Sequence, residues 1–381
     1  MSDGPTNGLH LPSLKISGFR GIGSLSIGRL GRVTLLGGRN GVGKTTVLEA
    51  VRTYAARGSQ NALHELLNSR EELVEALDED HDPAVSPDYA ALFYGRIAAP
   101  ERPIAIGPTS GGDDIRIQVS TPADWSTDQR ELFADLSGEV DVRAVKVVYH
   151  DHEMLLPWLS AVSDPRVARS RRRSSRRFQR GLFDEGKWPV IDCESLGPEM
   201  PSTSMLARFW DSVALTEEED LSLQALRLTC DGIERIAMVG DQETRYRMFG
   251  RRAVVKVRDH ARPVPLKSLG DGATRALAAA LALANSRDGF LLVDEAENGI
   301  HYSVQRDFWR MILRAAHQYN VQVLATTHSR DCVAGFARAA NEADEAVGVY
   351  LRLERHGDQV RAVEYTEEEL QTVADQGIEV R

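Results

Sequence analysis

The chain predicts an α/β fold: a mixed central sheet with flanking helices, an antiparallel β subregion and a helical lobe. Three observations predict it. The largely apolar run Val33 to Leu36 leads into Gly37-Gly38-Arg39-Asn40-Gly41-Val42-Gly43-Lys44-Thr45-Thr46, and Val47 to Val51 then continues as helix. The run 289–293, apolar throughout as a strand covered on both faces should be, ends in Asp294-Glu295, and a second buried strand over 321–326 ends in Thr327-His328-Ser329. Strand-like pieces at Pro103 to Ile106, Ile115 to Val119 and Val140 to Tyr149, the first two separated by Ser110-Gly111-Gly112-Asp113-Asp114, read as an antiparallel patch.

The stretch from Gly38 fits the spacing G-x-x-x-x-G-K-[ST], with Gly38, Gly43, Lys44 and Thr45 in the fixed places. Glycines let the backbone curl so that successive N–H groups point inward at phosphate oxygens, at the N-terminus of a helix whose dipole favours the same anion. Lys44 adds a point charge for β- and γ-phosphates, and Thr45 offers a hydroxyl to Mg²⁺. The binding residues predicted here are Gly38, Arg39, Asn40, Gly41, Val42, Gly43, Lys44, Thr45 and Thr46.

Composition sets outer limits. With 381 residues, 42% hydrophobic and 27% charged, the chain suits one large domain or two smaller ones. No run approaches the roughly 20 apolar residues of a membrane span, and Met1-Ser2-Asp3-Gly4-Pro5 lacks the basic and apolar regions of a signal peptide, so a cytoplasmic protein is expected. Cys193, Cys230 and Cys332 are odd in number and not spaced as metal ligands, which predicts reduced, structural thiols. The formal net charge of -10 argues against wholesale adsorption to nucleic acid but leaves a local basic surface open. One such segment exists: eight arginines, Arg166, Arg169, Arg171, Arg172, Arg173, Arg176, Arg177 and Arg180, crowd into fifteen positions. So dense a run is either a solvated, self-repelling loop or a phosphate-binding surface.

Taken in order, Leu14 to Ser17 alternates as a strand and turns through Gly18 to Ile22 into a second, Ser24 to Ile27, with Gly31 ending the hairpin. Asn61 to Glu79 carries Leu63, Leu66, Leu67, Leu73, Val74 and Leu77 at helical spacing and reads as a surface helix closed by the acidic, proline-bearing stretch to Pro87. Helical spacing returns at Thr203 to Trp210 and at Thr216 to Arg227, where Thr216-Glu217-Glu218-Glu219 reads as an N-cap with acidic first-turn residues. Cys230 to Val239 and Ala253 to Val257 are strand candidates. Ser268-Leu269-Gly270-Asp271-Gly272 opens an alanine- and leucine-rich helix to about Asn285 and makes a second anion-ready helix start. Tyr302 to Tyr319 and Arg330 to Ala340 read as helices. Gly348 to Arg355 and Gln359 to Tyr365 form a hairpin about His356-Gly357-Asp358, and Thr366 to Arg381 begins as a capped helix.

Asp294-Glu295 and His328 lie beyond the carboxyl ends of central strands, where ligands bind in open α/β sheets. Together with Phe19-Arg20-Gly21, Ser268 to Gly272, Asp294-Glu295-Ala296-Glu297-Asn298-Gly299-Ile300-His301 and Thr326-Thr327-His328-Ser329, the chain resembles an ABC-type ATPase. The likeness is to the SMC and RecF group and in particular to the OLD-like (overcoming lysogenisation defect) ATPases, and it runs over nearly the whole length. It implies a P-loop NTPase fold of ABC type in one domain, 1–381: an N-terminal lobe over 1–160, the arginine-rich loop over 161–187 and a C-terminal lobe over 188–381.

The resemblance further implies a homodimer around ATP, in which Gly38 to Thr46 of one subunit bind a nucleotide capped by Ser268 and Gly270 of the other. Arg20 joins the nucleotide-binding set on the same ground. Asp294 would hold Mg²⁺ through water beside Thr45, Glu295 would orient or deprotonate the attacking water, and His328 would contact the γ-phosphate, with Lys44 completing the catalytic group. Asp271 and Gly272 stand where transporter ATPases often have Gly and Gln, which fits a DNA-linked branch. The family's glutamine loop is not recognisable, Gln118 being the one candidate. No long coiled coil separates the lobes, and the stretch after His328 holds no D-x-D pair and is too short for the Toprim nuclease of full OLD proteins. A nuclease or toxin supplied by another chain is therefore expected, with DNA contact through Arg166 to Arg180, in anti-phage defence or DNA repair. The rival is a nucleotide-gated scaffold with negligible turnover that restrains a partner toxin or nuclease. A GTPase is disfavoured, since no N-K-x-D motif is present.

Overall fold

The computed structural model describes residues 8–77, 83–127, 129–130, 143–158, 189–240, 251–343, 347–366 and 368–370. In chain order its strands are β1 Leu14–Phe19, β2 Ile22–Ile27, β3 Val33–Gly38, β4 Leu73–Leu77, β5 Pro83–Pro87, β6 Ile104–Gly107, β7 Ile115–Ser120, β8 Arg143–Tyr149, β9 His152–Trp158, β10 Cys193–Leu196, β11 Ile233–Gly240, β12 Arg251–Val257, β13 Val264–Pro265, β14 Phe290–Val293, β15 Gln322–Thr326, β16 Gly348–His356 and β17 Gln359–Tyr365. The helices are α1 Lys44–Ala55, α2 Gln60–Ser69, α3 Thr203–Val213, α4 Glu219–Arg227, α5 Asp271–Asn285, α6 Gln305–Gln318 and α7 Arg330–Asn341.

One twelve-stranded sheet runs β10-β14-β15-β3-β16-β17-β2-β1-β6-β7-β8-β9. Its β10-β14-β15-β3-β16 part is parallel, and from β17 outward it turns antiparallel except for the single bridge Gln359↔Ser24 between β17 and β2. Of the parallel strands, β3, β14 and β15 are buried along their whole length, because both faces are covered. Val33 and Leu35, Leu291 and Val293, and Val323 and Ala325 face a core shared with α3 to α7. Leu36, Phe290, Leu292 and Leu324 face the opposite core, built with α1, α2 and the antiparallel strands. The period-2 geometry of a strand divides each run between the two. A smaller sheet, β11-β12-β13, and the pair β4-β5 stand apart.

The helices follow their patterns. Phe308, Trp309, Ile312, Leu313 and Ala316 make the buried face of α6, and Trp309 meets Phe336 of α7 edge to face with ring centroids 5.2 Å apart. Burial of residues 273–283 of α5 on all sides explains why that segment is alanine- and leucine-rich throughout.

Two expectations are corrected. The helix expected over Asn61 to Glu79 stops at Ser69, and Leu73–Leu77 is a strand paired with Pro83–Pro87. Glu71 takes φ 56, Glu71 N–H bonds Asn68 O at 3.0 Å and Glu72 N–H bonds Leu67 O at 2.9 Å. That is a Schellman stop whose left-handed position is filled by glutamate rather than glycine, so no glycine announced it. The fourth helix begins at Glu219, not at Thr216: its cap position, Glu218, makes no side-chain cap bond, while the Thr216 hydroxyl accepts from Glu218 N–H inside a preceding turn. The arginine run, residues 140–142 of the predicted strand and the last stretch of the terminal helix lie outside the described residues.

Candidate functional site

All of β3 is buried, and its last residue, Gly38, opens the loop at φ 131. A side chain there would be strained, and its Cβ would come within 2.6 Å of Leu353 O on the neighbouring β16, so only glycine fits. The loop closes on Gly43, at φ 112, which caps α1 without any side-chain bond. The first N–H groups of α1 are thereby left for a ligand. Arg39, Asn40 and Gly41 are exposed at the tip, while Val42 is buried as the loop's apolar anchor. Arg355 of β16 braces the loop from behind, donating to Gly21 O at 2.9 Å and Val42 O at 3.4 Å.

Lys44 turns its ammonium back into the loop, donating to Gly38 O at 2.7 Å and to Arg39 O at 3.3 Å. Burial holds it below the ordinary lysine range, and Glu297, Asp294 and Glu295 act in the opposite sense. The Thr45 hydroxyl donates to Asp294 Oδ2 at 2.9 Å. The two oxygen groups expected at a divalent ion therefore meet across strands β3 and β14, which are far apart in sequence. A hydroxyl and a carboxylate with neighbouring phosphate oxygens form the donor set that magnesium takes.

The turn after β14 is held from several sides. Asp294 N–H bonds Leu196 O at 2.8 Å and Ala296 N–H bonds Thr326 O at 2.9 Å. The Thr326 hydroxyl donates to Asp294 Oδ1 and accepts from Glu295 N–H at 2.9 Å. Glu295 sits at φ 51, an uncommon conformation for a non-glycine residue. Asn298 Nδ2 donates to Glu295 Oε2 at 2.8 Å. His328 N–H donates to Glu297 Oε1 at 2.8 Å, and the imidazole Nδ1 lies 3.0 Å from that same oxygen and 3.9 Å from Glu295 Oε1. His328 also lines a cleft with Gly37, Gly38, Thr327 and Ser329.

Arg275 is a participant that motif reading missed. It is 2% exposed, and from α5 it donates through Nη1 to Gly197 O (2.7 Å) and Glu199 O (2.8 Å) and through Nη2 to Asp294 O (3.0 Å) and Glu295 O (3.4 Å). The signal was present in the sequence: a guanidinium inside an otherwise apolar helix must find acceptors. Glu297 stands in the stretch 294–301, where the motif alone assigns it no role.

Other predicted residues lie elsewhere. Ser268 and Gly270 are exposed at the start of α5, Gly270 at φ 92, and a Cβ on Gly272 would meet Gly299 O at 2.7 Å. The α5 start is thus packed on the turn that follows the acidic pair while its tip faces outward. Arg20 is engaged by Glu49 (3.0 Å) and Glu72 (2.8 Å); a part at the nucleotide asks for its release from both. Gln118 pairs with Lys146 within the antiparallel sheet. Cys332 is buried in α7, its thiol pushed up to about 12 by burial, as a structural thiol.

The family model described as "AAA domain, putative AbiEii toxin, Type IV TA system" matches residues 223–331, which include Ser268, Asp294, Glu295 and His328. No curated protein matches the chain by sequence. Among solved structures, the chain is similar to an SMC head bound to the C-winged helix domain of ScpA, at 13% identity over 94% of this chain and 99% of that chain with a TM-score of 0.45. It is likewise similar to the SMC head domain from Thermotoga maritima, at 13% identity over 94% and 100% with a TM-score of 0.42. A third is the Smc head with an extended coiled coil bound to the C-terminal domain of ScpA derived from Pyrococcus furiosus, at 11% identity over 96% and 98% with a TM-score of 0.44. The mixed sheet with its flanking helices is an α/β architecture, with the glycine-rich loop joining β3 to α1. The matched model runs from within α4 to the start of α7 and leaves the loop from Gly38 to Thr46 outside its span. Among the described residues no helix is long and apolar enough to cross a membrane.

Proposed function

We propose that the chain is a Mg²⁺-dependent ATPase of the OLD-like branch whose ATP-driven dimerisation controls a DNA-related process or a partner effector. The observation that carries this reading is the meeting of Thr45 with Asp294 at 2.9 Å, with Glu295 next along the chain and His328 within 3.9 Å of it. Gly38 to Thr46 bind the triphosphate, and the Lys44 ammonium exchanges its loop carbonyls for β- and γ-phosphate oxygens. Thr45 and Asp294 hold magnesium, which when bound neutralises phosphate charge. Glu295 orients the attacking water and accepts its proton, and His328 contacts the γ-phosphate. Ser268 and Gly270, exposed at an α5 start that has no side-chain cap, close the site of a second copy. Arg20 joins that site once freed from its carboxylates.

The partner is a separate nuclease or toxin chain, in anti-phage defence or repair, in the cytoplasm. Glu295→Gln is expected to keep ATP binding and to abolish steady hydrolysis, read by calorimetry and phosphate release. Wild-type turnover in that variant removes Glu295 from its role, and ATP binding without turnover in the wild type favours the nucleotide-gated scaffold. DNA contact belongs to the arginine run. Neutralising its eight arginines is expected to weaken DNA binding and flatten its salt dependence; an unchanged affinity and slope ends that part of the proposal.

A further inference from the structure

The Glu297 carboxylate lies between the acidic turn and the end of β15, and its side chain is 10% exposed. One oxygen, Oε1, accepts from two donors of a single residue, the His328 backbone N–H at 2.8 Å and, in the tautomer the distance favours, the ring Nδ1–H at 3.0 Å. The other, Oε2, is buried and has no hydrogen-bond partner. A carboxylate oxygen kept dry and unpartnered is costly. Glu297 is also first among the three carboxylates acting on the Lys44 charge.

We propose that Glu297 is a positioning residue that clamps the His328 imidazole, fixing its orientation and placing the ring proton on Nδ1. The geometry supplies the reason. Two bonds to one oxygen close a small ring through the His328 backbone and side chain, and such a ring removes the freedom of the imidazole to turn. The other ring nitrogen, Nε2, is then the one available to a ligand in the cleft that His328 lines with Gly37 and Gly38. The clamp also keeps Nδ1 off Glu295, 3.9 Å away; without it the two side chains could pair, and Glu295 would be tied up by the histidine instead of by water. Carboxylates that fix a histidine tautomer from behind act in this way.

The inference rests on the ATPase reading for its consequence and on the structure alone for the clamp, so two readouts are used on the full chain. The first is the ¹⁵N spectrum of the His328 ring. The wild type is expected to show the Nδ1–H tautomer, and Glu297→Ala to show the mixed tautomers of a mobile ring, with Glu297→Gln, which keeps an acceptor oxygen, in between. An unchanged spectrum in Glu297→Ala overturns the clamp whether or not the chain hydrolyses ATP. The second is turnover. Glu297→Ala is expected to lower kcat about ten- to a hundredfold with ATP affinity changed less than about threefold, and to cost nothing further in a His328→Ala background. Independent losses from the two substitutions would mean that Glu297 acts by some route other than His328 and would overturn the positioning role. A wild type without turnover, together with the predicted spectra, would overturn the ATPase reading and leave the clamp standing.

Discussion

Arg275→Met is expected to lower the unfolding free energy by about 3 kcal/mol, one of the largest losses available to a single side chain here. Methionine keeps the volume and the apolar stem but removes every donor. Four carbonyls, those of Gly197, Glu199, Asp294 and Glu295, take bonds from the guanidinium at 2.7 to 3.4 Å. The guanidinium is dry, so water does not readily replace it. Burial lowers the Arg275 pKa, with Asp294, Glu295 and Glu297 opposing, yet an arginine stays charged and the lost bonds are charge-assisted. The effect also reaches the site. Glu295 occupies the left-handed region at φ 51, which costs a non-glycine residue about 1–2 kcal/mol, and Arg275 is one of the contacts holding it there. The denaturation midpoint should fall with an unchanged slope. Arg275→Lys should recover only part of the loss, because an ammonium cannot span both the 197–199 segment and the 294–295 turn. A midpoint that barely moves in Arg275→Met would mean that the turn is held by its own bonds to Thr326 and Leu196.

How far the sequence made this legible differs by element, for physical reasons. The loop from Gly38 to Thr46 was readable because its backbone demands particular residues at particular spacings, and the three apolar strands because burial on both faces leaves no polar alternation. The hairpin Gly348–His356 and Gln359–Tyr365 was also readable, but its place in the sheet was not. Insertion of β16 beside β3, with Gly348 opposite Val33 and Leu353 opposite Gly38, is a pairing of distant segments, and no local pattern encodes it. The strand Leu73–Leu77 was hidden because leucines at positions 63, 66, 67, 73 and 77 and the valine at 74 satisfy a helical period, while the stop at Glu71 uses a residue that gives no sign of a left-handed turn. Arg275 and Glu297 were visible as letters, but their parts depend on which carbonyls and which imidazole the fold brings to them.

Lys44→Ala is expected to reduce ATP affinity by about a hundredfold or more, with little change in the stability of the nucleotide-free chain. The two expectations have different origins. Without nucleotide the ammonium bonds Gly38 O and Arg39 O in a half-buried loop, where water can take over much of that bonding once the side chain is gone. With nucleotide, the lost group is the cation set among Glu297, Asp294 and Glu295, all three of which act on its charge. A triphosphate entering the alanine variant meets those carboxylates with the loop lysine missing, so the loss exceeds that of a single bond and is electrostatic in part. That difference can be measured. Combining Lys44→Ala with Glu295→Gln removes one of the opposing charges and is expected to recover affinity by about threefold or more relative to Lys44→Ala alone, with the recovery shrinking as salt is raised. Calorimetric titration of ATP into both variants at low and high salt decides it. Equal affinities at low salt would mean that Lys44 acts through its hydrogen bonds alone, and that the carboxylate edge beside the loop does not repel the nucleotide it faces.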